Sequence, residues 1–195
     1  MSKKSNIPAG DSDPGKKSGI RRRSFIQILG GGIFIFFQPW NVFGRLAGIP
    51  EEPRTLTKDY NGFLLIGEDG MVSCYTGKIE MGQGIVTSLA QMMADELNVP
   101  FERVKMVMGD TDLCPYDQGT WGSLSTRSFG VNMRAAAAEA RGVLLSLAAE
   151  RFGVPVSQLE VSNGVITDRT NAANSVSYAQ LTKGKKIEKY LDPKP

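Results

Sequence analysis

The chain has 195 residues, 23 Lys and Arg against 20 Asp and Glu, two cysteines and no histidine. That length suits one domain of ordinary size with an appendage, and 41% hydrophobic with 22% charged residues suffices for a core. Without histidine there is no Ser-His-Asp triad, Cys-His dyad, HExxH zinc site or CxxCH haem attachment, and Cys74 and Cys114 alone hold neither zinc nor an iron–sulfur cluster.

The net charge of +3 is unevenly spread. The first 23 residues carry seven basic side chains (Lys3, Lys4, Lys16, Lys17, Arg21, Arg22, Arg23) and two acidic ones (Asp11, Asp13), leaving 16 basic against 18 acidic in the remainder. The globular part therefore has no basic excess, which argues against a nucleic-acid partner.

Residues 1–20 are rich in Ser, Gly, Lys and Pro and read as flexible. Arg21-Arg22-Arg23-Ser24-Phe25-Ile26-Gln27 follows, then an apolar run from Ile28 to Phe37, ended by Pro39. The uncharged stretch Ser24 to Phe43 is interrupted by Gln27, Gln38, Pro39 and Asn41, which argues against a bilayer-spanning helix. A basic flank before a short apolar run is a secretory pattern, and paired arginines followed by Ser-Phe-Ile resemble a twin-arginine signal. The competing reading is a buried or interfacial helix with a basic flank. No A-x-A site follows; Leu46-Ala47-Gly48 is the nearest small-residue segment, so cleavage there and retention as an anchor both stay open. Residues 1–50 are read as signal and linker, and 51–195 as the folded part. Export of an already folded chain would fit a cofactor acquired beforehand.

In the folded part, Phe63 to Ile66 and Met71 to Thr76 read as two strands around a Glu68-Asp69-Gly70 turn. Ile85, Leu89, Met92, Met93 and Leu97 recur at helical spacing, with Pro100 just beyond. Val104 to Met108 reads as a strand and Gly109 to Thr126 as a long polar loop. A second helix is expected over Ser128 to Phe152, rich in alanine at 135–138 and stopped by Gly153 and Pro155. Val161 to Ile166 reads as a hairpin with an Asn-Gly turn, and Ser177 to Leu181 as a short helix. The basic tail Lys183 to Pro195 offers no closing element. The fold class is α+β, a mixed small sheet with two main helices, part of a larger domain. Few strands for so much apolar helix surface imply packing against more protein.

Two loops carry the chemistry. Gly77-Lys78-Ile79-Glu80-Met81-Gly82-Gln83-Gly84 joins a strand to a helix. Its glycines permit positive φ and close approach, the helix start favours an anion, and Gln83 offers a directional amide. A tight turn with no ligand explains the same residues. Thr87 breaks a GxGxxG fingerprint, so a Rossmann site is excluded. The second loop, Thr120-Trp121-Gly122-Ser123-Leu124-Ser125-Thr126-Arg127, opens the next helix with three hydroxyls and a glycine, a second anion cradle or an ordinary cap from Ser125 or Thr126.

The first loop, followed by Ala90-Gln91-Met92-Met93-Ala94-Asp95-Glu96-Leu97, resembles the molybdopterin-binding segment of the xanthine dehydrogenase/aldehyde oxidase family. Gly109-Asp110-Thr111 and Gly122-Ser123-Leu124-Ser125 are similarly spaced. Within that family the large subunit of isoquinoline 1-oxidoreductase-type enzymes is most similar, since it also begins with a twin-arginine signal. The resemblance implies that Gln83 hydrogen-bonds the pterin, that Ser123 and Ser125 surround its phosphate end, and that Gly82, Gly84 and Gly122 allow close approach. It implies molybdenum held by the pterin, in the cytosine dinucleotide form, with no metal ligand from this chain. It implies oxidation of an aldehyde or N-heterocycle with water as oxygen source, a [2Fe–2S] small subunit, the remainder of the molybdenum subunit, and a c-type cytochrome as candidate electron acceptor, in or facing the periplasm. The family's catalytic glutamate lies near the end of a much longer chain; Glu80 is not its equivalent, so no catalytic residue is expected here. The competing functions are an exported, non-catalytic binding or assembly module of the same fold and a membrane-anchored structural domain resting on residues 24–43.

Overall fold

The computed structural model describes residues 31–37, 62–117 and 119–191. Among them are eight strands: β1 Gly32–Phe37, β2 Gly62–Gly67, β3 Val72–Thr76, β4 Val104–Met108, β5 Leu159–Ser162, β6 Val165–Asp168, β7 Asn171–Ser177 and β8 Lys186–Leu191. Three helices accompany them: α1 Ile85–Leu97, α2 Gly130–Phe152 and the short α3 Tyr178–Thr182. The α+β class with a mixed sheet and two main helices agrees with the sequence reading.

The main sheet runs β4-β3-β2-β1-β8, with β1–β2 and β2–β3 antiparallel and β3–β4 and β1–β8 parallel. A three-stranded sheet, β5-β6-β7, is antiparallel throughout. The two-residue period of the main sheet sorts its side chains cleanly. Ile33, Ile35, Phe37, Leu64, Ile66, Val72 and Cys74 face α1 and α2 and join one core. Phe34, Phe36, Phe63, Leu65 and Tyr75 form a second cluster on the opposite face, where Cys114 also packs. The two cysteines therefore serve opposite faces and remain free thiols, both with pKa values raised by burial.

Three differences from the sequence reading concern strands: that reading assigns no element to β7, Asn171–Ser177, and the other two are β1 and β8. Gly32–Phe37, assigned above to the apolar part of an export segment, is β1, paired along its length to β2 and β8. A run of β-branched and aromatic residues buried on both faces has the composition of a central strand as much as of a signal, and periodicity cannot separate the two. The tail expected to add no element supplies β8, whose side chains are mostly exposed; pairing of its backbone with β1, not an apolar pattern, makes it a strand. The strands are thus less few than the sequence suggested.

The helices follow their patterns. Ile85, Leu89, Met93 and Leu97 of α1 are buried, and Asn98 ends the helix in a left-handed conformation before Pro100. Gly153 ends α2 in the same way, its N–H and that of Val154 both donating to the Ala149 carbonyl. Ala136, Ala137, Ala140 and Ala148 are buried, so alanine in α2 serves close packing on α1 and β1 as well as helix propensity. The Asn163-Gly164 turn has φ of 52° and 74°, the paired left-handed residues of a type I′ hairpin. Its tip docks on the end of α1, with the Gly164 N–H donating to the Asn98 carbonyl and the buried Tyr178 hydroxyl to the Leu97 carbonyl at 2.8 Å. Tyr178→Phe leaves that helix-end carbonyl without its donor. The expected result is a loss of about 1–3 kcal/mol of stability, read as a lower urea midpoint with unchanged slope.

Candidate functional site

Because β3 and β4 are parallel neighbours, their carboxyl ends lie on the same edge of the sheet, and the loops that leave them start side by side. The Gly109 N–H donates to the Thr76 carbonyl at 3.2 Å across this edge. The first loop, 77–84, runs into α1. The second, which begins at Gly109, runs through Trp121 into a π-helical turn, Ser125–Phe129, and then α2.

A clasp joins the two loops. Lys78 Nζ lies 2.8 Å from Asp117 Oδ1 and donates to the Gly119 carbonyl at 2.7 Å. The Gly119 N–H donates to the same Asp117 oxygen, and the Ile79 N–H donates to Thr120 Oγ1 at 2.8 Å. The Lys78 and Asp117 side chains are 12% and 1% exposed, so this ion pair is out of water. Gly77 belongs to the same arrangement: a Cβ there would stand 2.6 Å from Asp117 Cβ and 2.8 Å from the Pro115 carbonyl oxygen. Asp117 Oδ2 is buried and has no hydrogen-bond partner among the described residues. Nothing in the isolated sequence marked Lys78, Gly77 or Asp117 as partners; they act across 39 residues, and only the parallel β3–β4 pairing brings them together.

The first loop is closed by its own side chains. Glu80 Oε1 accepts from the N–H groups of Gly82 (2.7 Å) and Gly84 (3.0 Å), and its Oε2 accepts from Val86 (3.0 Å). The Val86 N–H, with those of Gly84 and Gly82, holds the Glu80 carboxyl below the usual carboxylate range. The helix start that the sequence marked as an anion cradle thus already contains a carboxylate. Gln83 donates from Nε2 to the Ile79 carbonyl at 2.9 Å and accepts at Oε1 from the Met81 N–H at 2.6 Å. An amide carries two donor hydrogens and two acceptor lone pairs, so one of each remains on this exposed residue. Gly82 and Gly84 have φ of 97° and 75°, and a Cβ on either would meet nothing within 4 Å. The outer face of the loop is open, bare backbone.

The second loop is shaped differently. Gly122 and Ser123 have φ of 63° and 53°, an uncommon conformation for serine and one concentrated at functional sites. Neither Ser125 nor Thr126 caps the helix; no side chain caps the π-turn or α2. Inserting a π-turn at a helix start is likewise a feature of binding sites. Phe129 anchors this turn beneath the surface, 5.5 Å from the Phe37 ring, and Gly130 lets Met92 of α1 approach, since a Cβ there would lie 2.8 Å from the methionine methyl. Exposed apolar side chains border both loops: Ile79, Met81 and Val86 on the first, Trp121 and Val131 on the second. Among the six residues singled out from sequence, Gly82, Gln83 and Gly84 sit on one loop and Gly122, Ser123 and Ser125 on the other; the bonds of Lys78 to Asp117 and Gly119 and of Ile79 to Thr120 join those loops at their bases.

Comparison with known proteins accords with this arrangement. The chain is 36% identical over 139 residues to a nicotinate dehydrogenase subunit of Pseudomonas putida, covering 71% of the chain and 12% of that protein. It is 33% identical over 128 residues to the beta chain of the isoquinoline 1-oxidoreductase of Brevundimonas diminuta, covering 62% and 16%. The reconstituted CO dehydrogenase from Oligotropha carboxidovorans superposes with a TM-score of 0.54 at 29% identity, over 60% of this chain and 15% of that one. The chain therefore spans about an eighth to a sixth of the length of the curated relatives it matches. The family model for the molybdopterin cofactor-binding domain matches residues 20–192, a span containing both glycine loops and the clasp between them, and the chain belongs to that family.

Proposed function

We propose that the two loops form part of the wall of a molybdopterin site in a molybdenum hydroxylase-type oxidoreductase subunit. The observation that carries this is two positive-φ turns, Gly82–Gly84 and Gly122–Ser123, on loops that leave neighbouring strand ends and are joined by the bonds of Lys78 to Asp117 and Ile79 to Thr120. Bare backbone at Gly82 and Gly84, where a Cβ would meet nothing within 4 Å, and exposed donors and acceptors around it fit a flat polar ligand with an anionic end. Gly82 and Gly84 admit the ligand to backbone contact, and Gln83 offers it the remaining N–H and lone pair. Gly122 lets the chain turn so that the Ser123 and Ser125 hydroxyls take the phosphate end. When bound, the cofactor supplies a two-electron acceptor for oxidation of an aldehyde or N-heterocycle, with water as oxygen source. Glu80, bonded to its own loop, is not a base in that reaction.

The same reading takes the cofactor in its cytosine dinucleotide form. It places iron–sulfur clusters on a [2Fe–2S] small subunit and makes a c-type cytochrome the electron acceptor. The apolar rim at Ile79, Met81, Trp121 and Val131 suits contact with the remainder of the molybdenum subunit. Periplasmic residence by the twin-arginine route rests on Arg22 and Arg23 before the apolar run. Changing both arginines to lysine is expected to abolish periplasmic accumulation in a fractionation experiment; undiminished accumulation would remove the export reading.

The direct test is molybdenum and pterin content of the protein purified with its native neighbours. Gln83 variants refine it. Gln83→Ala loses the bonds to Ile79 and Met81 and those left for the ligand, a cost of about 1–3 kcal/mol. Gln83→Glu does worse, since it sets a carboxylate oxygen against the Ile79 carbonyl and a second charge beside Glu80. Molybdenum per chain should fall from wild type to Ala to Glu; equal occupancy in all three would remove Gln83 from the site.

A further inference from the structure

A helix start with open amide groups attracts anions, and the sequence of the first loop suggested such a site. In the structure the N–H groups of Gly82, Gly84 and Val86 all converge on the Glu80 carboxylate, at 2.7, 3.0 and 3.0 Å. The Met81 N–H is taken by Gln83. Among the described residues no cation pairs with Glu80; its charge is held by the backbone amides of Gly82, Gly84 and Val86 together with that of Ile85. The positive φ of Gly82 and Gly84 turns the amides inward and leaves the outer face bare. At the neighbouring turn, Gly122–Ser125, no side chain of the loop occupies the helix start.

We propose that Glu80 is a positioning residue that closes the start of α1 to anions, so that the glycine loop receives only the neutral, flat part of its ligand and the ligand's phosphate end is directed to the turn at Gly122–Ser125. The proposal rests on the pterin reading above and adds to it an orientation rule. Glu80 acts twice: it satisfies the amides that would otherwise bind phosphate, and it leaves a negative charge on the loop that repels a second anion. A neutral side chain of the same length does the first in part and the second not at all. Glu80→Gln keeps an oxygen for Gly82 and Gly84 but turns an NH₂ toward the Val86 N–H, so that amide is released to solvent.

Two measurements test this. In the 15N-labelled 195-residue chain, inorganic phosphate is expected to leave the amide shifts of Gly82, Gly84 and Val86 unmoved in wild type and to move them together, saturably, in Glu80→Ala. In Glu80→Gln the Val86 amide should respond most. In the assembled protein, Glu80→Gln should lower the thermal transition only slightly, for the one amide it releases, yet lose about tenfold in molybdenum per chain. A residue that merely capped α1 would instead keep wild-type molybdenum content in Glu80→Gln. Phosphate-induced shifts of the three amides in wild type, or wild-type molybdenum content in Glu80→Gln and Glu80→Ala, would overturn the proposal. If wild type itself carries neither molybdenum nor pterin, the functional reading fails, and the phosphate titration still decides whether Glu80 excludes anions.

Discussion

Deleting residues 1–50 is expected to leave a chain without a cooperative thermal transition. The reason is β1. Ile33, Phe34, Ile35, Phe36 and Phe37 are at most 1% exposed, and the strand lies between β2 and β8. Burial of a large apolar side chain stabilises by about 1.5–3 kcal/mol, so five of them contribute on the order of 10 kcal/mol, the size of a whole domain's net stability. Both clusters lose members at once, because the strand alternates between the two faces: Ile33, Ile35 and Phe37 on the helix side, Phe34 and Phe36 on the other. β8 would also lose its partner strand and the stacking of Tyr190 on Phe36. Differential scanning calorimetry of 51–195 beside the full chain checks this. A sharp transition in the shorter chain would show that another segment fills the place of β1.

Lys78→Met is expected to cost about 3–5 kcal/mol, because it leaves the Asp117 carboxylate buried without its counter-charge. Asp117→Asn should cost less, because the ammonium it leaves without a counter-charge is the more exposed partner, at 12% against 1%. An asparagine still accepts from Lys78 and from the Gly119 N–H, and Lys78 keeps its bond to the Gly119 carbonyl. The double variant should recover part of the Lys78→Met loss, since it removes the stranded charge. Urea unfolding of the four proteins gives the cycle directly. The same variants should lower cofactor content more than the stability loss alone accounts for, because the clasp joins the loops that carry the two glycine turns. Equal midpoints for Lys78→Met and wild type would show that the pair is not desolvated in solution.

Much of the local structure was legible because it is determined by residues close in sequence. The α1 stripe at Ile85, Leu89, Met93 and Leu97, the stop at Gly153 and Pro155, and the Asn163-Gly164 turn all follow from local periodicity and backbone preference. The glycine loops were legible for the same reason: positive φ at Gly82, Gly84 and Gly122 is a property that glycine permits wherever it stands. The family, too, followed from short motifs in a fixed order.

Tertiary structure decided what depends on distant pairing. A hexapeptide such as Gly32–Phe37 is apolar on every face, so its pattern cannot say whether it leads an export signal or fills the middle of a sheet; the edges offered by β2 and β8 settle its conformation here. β8 has too few apolar residues to announce itself and exists because β1 presents an unpaired edge. The occupant of the α1 start could not be read either. Glu80 is one carboxylate among many in a sequence, and it gathers the amides of the α1 start only because the positive-φ turns at Gly82 and Gly84 fold the loop back on it. Lys78 and Asp117 meet for a reason still less local: two parallel strands end on the same edge of one sheet, and a charge buried there is paired with an opposite one.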